Sequence, residues 1–361
     1  MKKIVKSLVK FIYTLYSKIE IVRLFYLTEN EQKSRFNDLI LPKLTEEEKQ
    51  IIINKWGRLT KNIKQCFYEF RVYKQIYGFD SNFVPLAIYK SIIINHFNPI
   101  NDRVALSNKS LTPMYLRDIN QPRTILNSIN GILYNEANEI IDLDEAINVI
   151  CKQEEELIAK PSVDTACGKG VIVMPKNKDR EIIGRIIQEF KNDFIIQKKV
   201  KQSEELSQLN ETSLNTFRVT SIMTKNNIYV TSICLKICKK GALCDNLGFG
   251  GIIVGVNKDG TLKEYGVDKN GNKIEIYNGY RLSTIKISMI NNIIDIAINT
   301  HKHIPSCRIV GCDIAVDENN VPILIEANLK LPGITLEQMC TGPIFSSITE
   351  EIIEDVLSKK I

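Results

Sequence analysis

Three side chains near the C-terminus, Asp313, Glu326 and Asn328, have the types and spacing to hold a divalent cation. They lie in GCDIAVDENNVPILIEAN, residues 311–328, which reads as two short strands around a four-residue turn at 317–320. Side chains alternate faces along a strand, so Asp313 shares a face with Ala315, and Ile314 with Val316. Glu326 and Asn328, two apart, share a face of the return strand, and counting back from the turn puts Asp313 opposite or diagonal to Glu326. Two carboxylates and an amide on one sheet face repel and desolvate unless a cation sits between them. Mg²⁺ suits them, because it takes one or two protein carboxylates and completes its shell with water and substrate phosphates. A half-exposed hairpin with a polar outer face accounts for the same residues without a ligand.

Upstream lie residues suited to phosphate. Lys160 closes an expected strand at 157–160 and leads into a small-residue loop with Ser162, Gly168, Lys169 and Gly170, before a strand returns at 171–174. The glycines let backbone N–H groups approach a phosphate and Lys169 adds charge, although a Gly-Lys-Gly hairpin can also be a plain turn. No P-loop pattern is present, and no helix is implied after Gly170. A helix expected at 179–191 precedes a strand ending at Gln197. The next residues, Lys198 to Val200, read as a hinge whose backbone can pair with an adenine edge, and Glu204 is placed to accept from ribose hydroxyls. In Asn215-Thr216-Phe217-Arg218 the arginine is a fork for phosphate or carboxylate, or half of an ion pair. Asp245 and Asn246 open a second glycine-rich loop ahead of a strand at 252–256.

The elements that must carry these residues begin with a helical stretch, 1–95. Thr45 as N-cap and Glu48 three residues later form a capping box. Breaks at 77–78 and 98–102 lead into short apolar segments and a helix at 143–151, a small α/β unit over 96–150. The third expected domain, 151–361, divides into a small lobe, 151–200, and a large lobe, 201–361.

At 361 residues the chain can bury a sizeable core, and its composition, 44% hydrophobic and 25% charged, is that of a globular protein. The net charge of +6 suits anionic partners, and the absence of a basic run interleaved with aromatics argues against nucleic acid. Nine cysteines without a Cys-x-x-Cys pair, beside three histidines, argue for reduced structural thiols in a cytosolic protein rather than zinc. No run of about 18 apolar residues suggests a spanning helix. The first 25 residues carry six basic groups against Glu20, with Ile4, Leu8, Phe11, Ile12, Leu15 and Ile19 at helical spacing. That pattern suits either a peripheral contact with an anionic membrane surface or an amphipathic helix packed on its own protein.

The order of these segments is more telling than any one of them. A strand lysine, a Gly-Lys-Gly hairpin, a hinge, Asn-Thr-x-Arg, Asp-Asn with glycines, then Asp…Glu-x-Asn resembles the ATP-grasp fold, an α+β architecture in which two subdomains grip ATP. More closely, the chain resembles the sugar-transfer-associated ATP-grasp family found with surface-polysaccharide biosynthesis. The resemblance covers roughly residues 46–345 and is most specific in KPSVDTACGKGV, IIQKKV, NTFRV, DNLGFGG and the 311–328 hairpin. It implies that Lys160 contacts ATP phosphates, that 162–170 is a covering loop with Lys169 at its tip, and that 197–200 binds adenine and Glu204 ribose. It further implies that Asp313, Glu326 and Asn328 hold one or two Mg²⁺ ions and that Arg218 steadies the transferring phosphoryl group. Asp245 and Asn246 would face the second substrate or the phosphates. The implied activity joins a carboxylate, here of an anionic sugar or sugar nucleotide, to an amine acceptor through an acyl-phosphate. An ATP-grasp kinase and a non-catalytic nucleotide-binding protein at the membrane are the competing readings. The chain departs from the family's pattern where a His-Pro pair commonly follows the Gly-Gly strand: residues 265–290 contain no histidine, and Tyr277 to Arg281 stand there instead.

Overall fold

The computed structural model describes all residues except Met1, 164–169, 175, 242–247, 249 and 359–361, and the side chains of residues 2–18 also lie outside the description. Helices Lys2–Arg35, Glu46–Trp56 and Phe67–Ile76 open the chain. The expected capping box forms: the Glu48 N–H donates to Thr45 Oγ1 at 3.1 Å and the Thr45 N–H to Glu48 Oε2 at 2.8 Å. Trp56, Phe70, Tyr73 and Phe83 pack in one core with Met339 and Ile353 from the C-terminal helices Thr335–Thr341 and Thr349–Ser358, and with Phe345 between them. The N-terminal region therefore shares its core with the far end of the chain.

The first sheet has six strands: β1 Thr124–Ile129, β2 Ile132–Asn135, β3 Ile140–Ile141, β4 Leu157–Pro161, β5 Ile172–Met174 and β6 Phe194–Lys198. Their spatial order is β3-β2-β1-β6-β4-β5. Strands β1–β3, expected in a unit separate from residues 151–200, are thus half of the same sheet, and a boundary near 150 falls inside it. One face carries Leu126, Ala159 and Ile196 against helices Leu143–Cys151 and Arg180–Phe190, whose first turns are capped by Asp142 and Asp179. Gln197 stands opposite Ile158 in the β4–β6 ladder, and Lys160 two residues on shares Ile158's face, away from that core.

The second sheet has seven strands: β7 Thr216–Met223, β8 Ile228–Ile237, β9 Ile252–Val256, β10 Leu262–Val267 and β11 Lys273–Ile274, then, after a ribbon of β12 Ile276–Tyr277 and β13 Tyr280–Arg281, β14 Ile309–Val316 and β15 Pro322–Asn328. Its order is β11-β10-β9-β8-β7-β14-β15, antiparallel throughout. Phe217, Val219, Leu235, Cys312 and Ile314 pack on one face with Ile293 and Ala297 of helix Ile290–Lys302. The N-terminal core and helix Thr335–Thr341 cover much of the other. Buried Asn98 ties the layers together: its Nδ2 donates to the Ile309 carbonyl at 2.7 Å and the Leu329 carbonyl at 2.9 Å, and its Oδ1 accepts from the Ile309 N–H at 2.8 Å.

Candidate functional site

The hairpin forms as expected, with a refinement that aims its carboxylates. Val316 pairs with Pro322, Ala315 with Ile323 and Ile314 with Leu324, but Asp313 pairs with Glu326, so Ile325 is an extra residue in a β-bulge. Without it the ladder would set Asp313 opposite Ile325; with it the two carboxylate residues stand directly opposite. The row continues across the sheet, because Asp313 also pairs with Arg218 and Arg218 with Cys234. A second row reads Asn328, Gly311, Thr220, Ser232. Gly311 is small for a reason: a Cβ there would meet Pro332 Cβ at 3.1 Å and Arg218 Cδ at 3.5 Å.

On this face Arg218 grips Asp313 with both arms, Nε to Oδ1 at 2.8 Å and Nη2 to Oδ2 at 2.9 Å. Lys236 lies 3.0 Å from Asp313 Oδ1, and Asn328 Nδ2 donates to Oδ2 at 3.1 Å. Beneath them, buried Glu337 accepts from Thr220 Oγ1 at 2.8 Å and Ser232 Oγ at 2.6 Å, with Arg218 Nη1 3.5 Å away. Burial alone would raise the Asp313 carboxyl, yet Arg218 and Lys236 together hold it well below the usual carboxylate range. Burial likewise works against Arg218, but Asp313 and Glu337 keep it charged. Glu337 has the weaker compensation, so burial pushes its carboxyl up despite Arg218 and the two hydroxyls.

A narrow cleft between the sheets meets the end of this row at Glu326. Lys160 and Gln197 of the first sheet, Lys109 and Thr112 of the connecting segment, and Leu324 to Ala327 of β15 line it. Lys109 Nζ reaches Glu326 Oε1 at 3.4 Å, and the Lys109 N–H donates to the Ser162 carbonyl at 3.0 Å, so one residue touches both walls.

The other expected site residues are placed as follows. Ser162 starts the loop, buried, with its Oγ unpartnered among the described residues, and Gly170 ends the loop at φ +78°. Gly168, Lys169, Asp245 and Asn246 lie outside the described residues. The hinge is more committed than expected: the Lys198 and Lys199 N–H groups already donate to the Arg123 and Glu156 carbonyls, both at 2.9 Å. An adenine edge cannot use those two donors while the pairs hold. The Lys198 side chain turns to Glu155 at 2.8 Å, Gln197 Nε2 donates to Thr124 Oγ1 at 3.1 Å, Val200 follows half-buried, and Glu204 is exposed. Asn215 departs from its expected place at a nucleotide. It is fully buried, and its Nδ2 donates to Gln202 Oε1, the Leu206 carbonyl and the Asn210 carbonyl, which folds the 202–213 segment.

A family described as sugar-transfer associated ATP-grasp matches residues 90–353 of this sequence. The chain belongs to that family. As an ATP-grasp protein it is similar in fold to D-alanyl-alanine synthetase A from Vibrio cholerae O1 (12% identity, TM-score 0.43, 71% of this chain and 66% of that one). It is also similar to the VanG D-Ala:D-Ser ligase from Enterococcus faecalis (12% identity, TM-score 0.42, 76% and 63%). A third similar structure is an L-amino acid ligase from Bacillus licheniformis (13% identity, TM-score 0.38, 69% and 50%). The chain spans between half and two thirds of the length of these proteins. No curated protein matches it.

Whether this ATP-grasp chain offers Mg²⁺ a seat depends on its free oxygens. A carboxylate has about four lone-pair sites. Those of Asp313 face two arginine nitrogens, one lysine and one amide, so a metal at Asp313 would displace one of them. Glu326, with its side chain one-third exposed at the cleft, and the Asn328 Oδ1 remain as hard oxygen donors, which fits Mg²⁺. Among the described residues no group of three or more His, Cys, Asp or Glu side chains is placed to hold a metal. Lys109 and Lys236 are the residues that sequence reasoning missed. Lys236 did leave a signal: it is the one charge in β8, on the same alternation as Ser232 and Cys234. Lys109 sits in a turn and left none.

Proposed function

We propose that this protein is an ATP- and Mg²⁺-dependent ligase. It would join a carboxylate, on a uronic acid or another carboxylated sugar precursor of a surface polysaccharide, to an amine or similar nucleophile. The observation that supports the reading is Glu326, neighbour of Asp313 and Arg218 in one row across the sheet, standing in a cleft that Lys160 and Lys109 also line. Lys160 and Lys109 in the cleft suit an anion with several charges, and net +6 agrees with anionic substrates. Mg²⁺, held by Glu326 and Asn328, would neutralise phosphate charge. Lys160 and Lys109 would orient the phosphates from the opposite wall. Arg218 and Lys236, kept charged by Asp313, would stabilise the charge that develops as a substrate carboxylate oxygen attacks the γ-phosphorus and ADP leaves. The amine then attacks the acyl carbon, phosphate departs, and the nitrogen loses its proton.

Product analysis with Mg-ATP and a panel of uronic-acid and amino-sugar nucleotides tests this reading. A ligase releases ADP and free phosphate in step with a stable amide. ADP without free phosphate would instead identify a kinase acting on a hydroxyl, and ATP binding that no acceptor ever turns into hydrolysis would leave a nucleotide-binding protein. Lys236→Met should lower kcat by about 10²-fold, the usual effect of removing one group that stabilises transition-state charge. Unchanged turnover in that variant would remove Lys236 from the mechanism.

A further inference from the structure

The N-terminal helix Lys2–Arg35 runs for 34 residues, about 50 Å at 1.5 Å per residue, and lies outside the family match. Its C-terminal half packs on the protein through Phe25, Thr28 and Gln32, all buried, with Ile21 beside them. Followed back at three- and four-residue steps, that core-facing stripe meets Lys18, Thr14, Lys10, Ser7 and Lys3 in the sequence. That register is mostly lysine, serine and threonine, with Phe11 beside it. Most of the apolar residues hold the other register. Ile19, Val22 and Tyr26 are 55%, 50% and 61% exposed, and the same steps continue in the sequence through Leu15, Ile12, Leu8 and Ile4. Large apolar side chains exposed in a row need an occupant.

We infer that this face docks on an anionic lipid bilayer surface, with the helix lying in the interface plane. Charge selects the occupant. The first 25 residues carry six basic groups against one acidic group, so a second copy of the helix would bring like charges together, whereas anionic headgroups would neutralise them. An apolar stripe beside a lysine-rich face is the composition of an interfacial helix, and Tyr26 is a side chain suited to the headgroup level. No helix among the described residues is long and apolar enough to cross a membrane, so the contact lies along the surface. This inference stands whatever reaction the cleft performs.

The test is co-sedimentation of the full chain with vesicles of phosphatidylcholine, alone or mixed with phosphatidylglycerol. Binding should be at least about tenfold stronger on the anionic vesicles and should fall as salt screens the charges. Combining Ile19→Asp, Val22→Asp and Tyr26→Asp should abolish binding. If that variant loses helicity by circular dichroism, Lys3→Glu with Lys6→Glu and Lys10→Glu reads the charge contribution separately and should also release the protein. Equal binding to neutral and anionic vesicles overturns the proposal, as does no binding to either. So does a dimer, seen by light scattering, that the apolar variant dissolves.

Discussion

Asp313 is held by more cation than it can release cheaply. Its carboxylate neutralises Arg218 and Lys236 in a buried setting, so Asp313→Ala takes a shared counter-ion from both and leaves Arg218 with Glu337 at 3.5 Å. The expected loss is about 3–5 kcal/mol in urea unfolding, larger than any effect of Glu326→Gln at the more open end of the row. A second buried carboxyl, Glu69, behaves oppositely. Burial pushes it up to about 7, against the donors Leu86 N–H and Tyr73 Oη. Between the unfolded carboxyl's pKa of about 4.3 and 7 the folded state holds the extra proton, so stability falls as pH rises through that window. Glu69→Gln keeps an acceptor for the Leu86 N–H, turns its Nε2 to the Tyr73 hydroxyl oxygen, and removes the titration. Urea midpoints of the variant should stay flatter between pH 5 and pH 8 than those of the parent, and equal slopes would refute the assignment.

At the scale of elements, the site depends on a hairpin held from behind. Asn98 sits where the helical layer ends, and its three hydrogen bonds fix the start of β14 and the residue after β15. Asn98→Leu is close in size but leaves the Ile309 N–H and two carbonyls buried without their partner. The expected cost is about 2–4 kcal/mol, with the hairpin the first part to gain hydrogen exchange. Glycine matters at the Asn278-Gly279 turn between β12 and β13, where both residues have positive φ, 51° and 89°. The ribbon it closes donates Tyr277 Oη to the Gly250 carbonyl at 2.6 Å and Asn278 Nδ2 to the Leu209 and Cys238 carbonyls. It thereby braces Gly250 at the end of the second glycine-rich loop.

For the molecule as a whole, two sheets close on a narrow cleft whose bridge is Lys109 to Glu326. In the proposed function nucleotide would part that contact before Glu326 turned to a metal, and binding would link the two lobes. A ligand present at 100 times its dissociation constant adds about 2.7 kcal/mol to the native state. Mg-ATP should therefore raise the midpoint of thermal unfolding by several degrees, and ATP with chelator by less. No shift with Mg-ATP at saturating concentration would remove the nucleotide from the cleft. Core sharing between residues 19–97 and the C-terminal helices predicts a single transition for those segments, readable by native-state hydrogen exchange.

The sequence by itself determined the elements that local chemistry dictates. The capping box at Thr45, the helix at 143–151, the strands around Lys160 and Gln197, and the 311–328 hairpin all follow from caps, alternation and turns a few residues long. Motif order was enough for the family, because it survives without any knowledge of contacts. Only the tertiary structure decided which side chains meet. The Ile325 bulge set Asp313 squarely against Glu326, and strand order brought Arg218 and Lys236 onto the same carboxylate from 95 and 77 residues away in sequence. Those contacts make Asp313 the counter-ion of two cations and draw Asn215 inside. Sheet pairing also placed residues 124–141 in the first lobe. Such outcomes depend on pairing between distant strands, and neither periodicity nor spacing encodes which strand will be the neighbour.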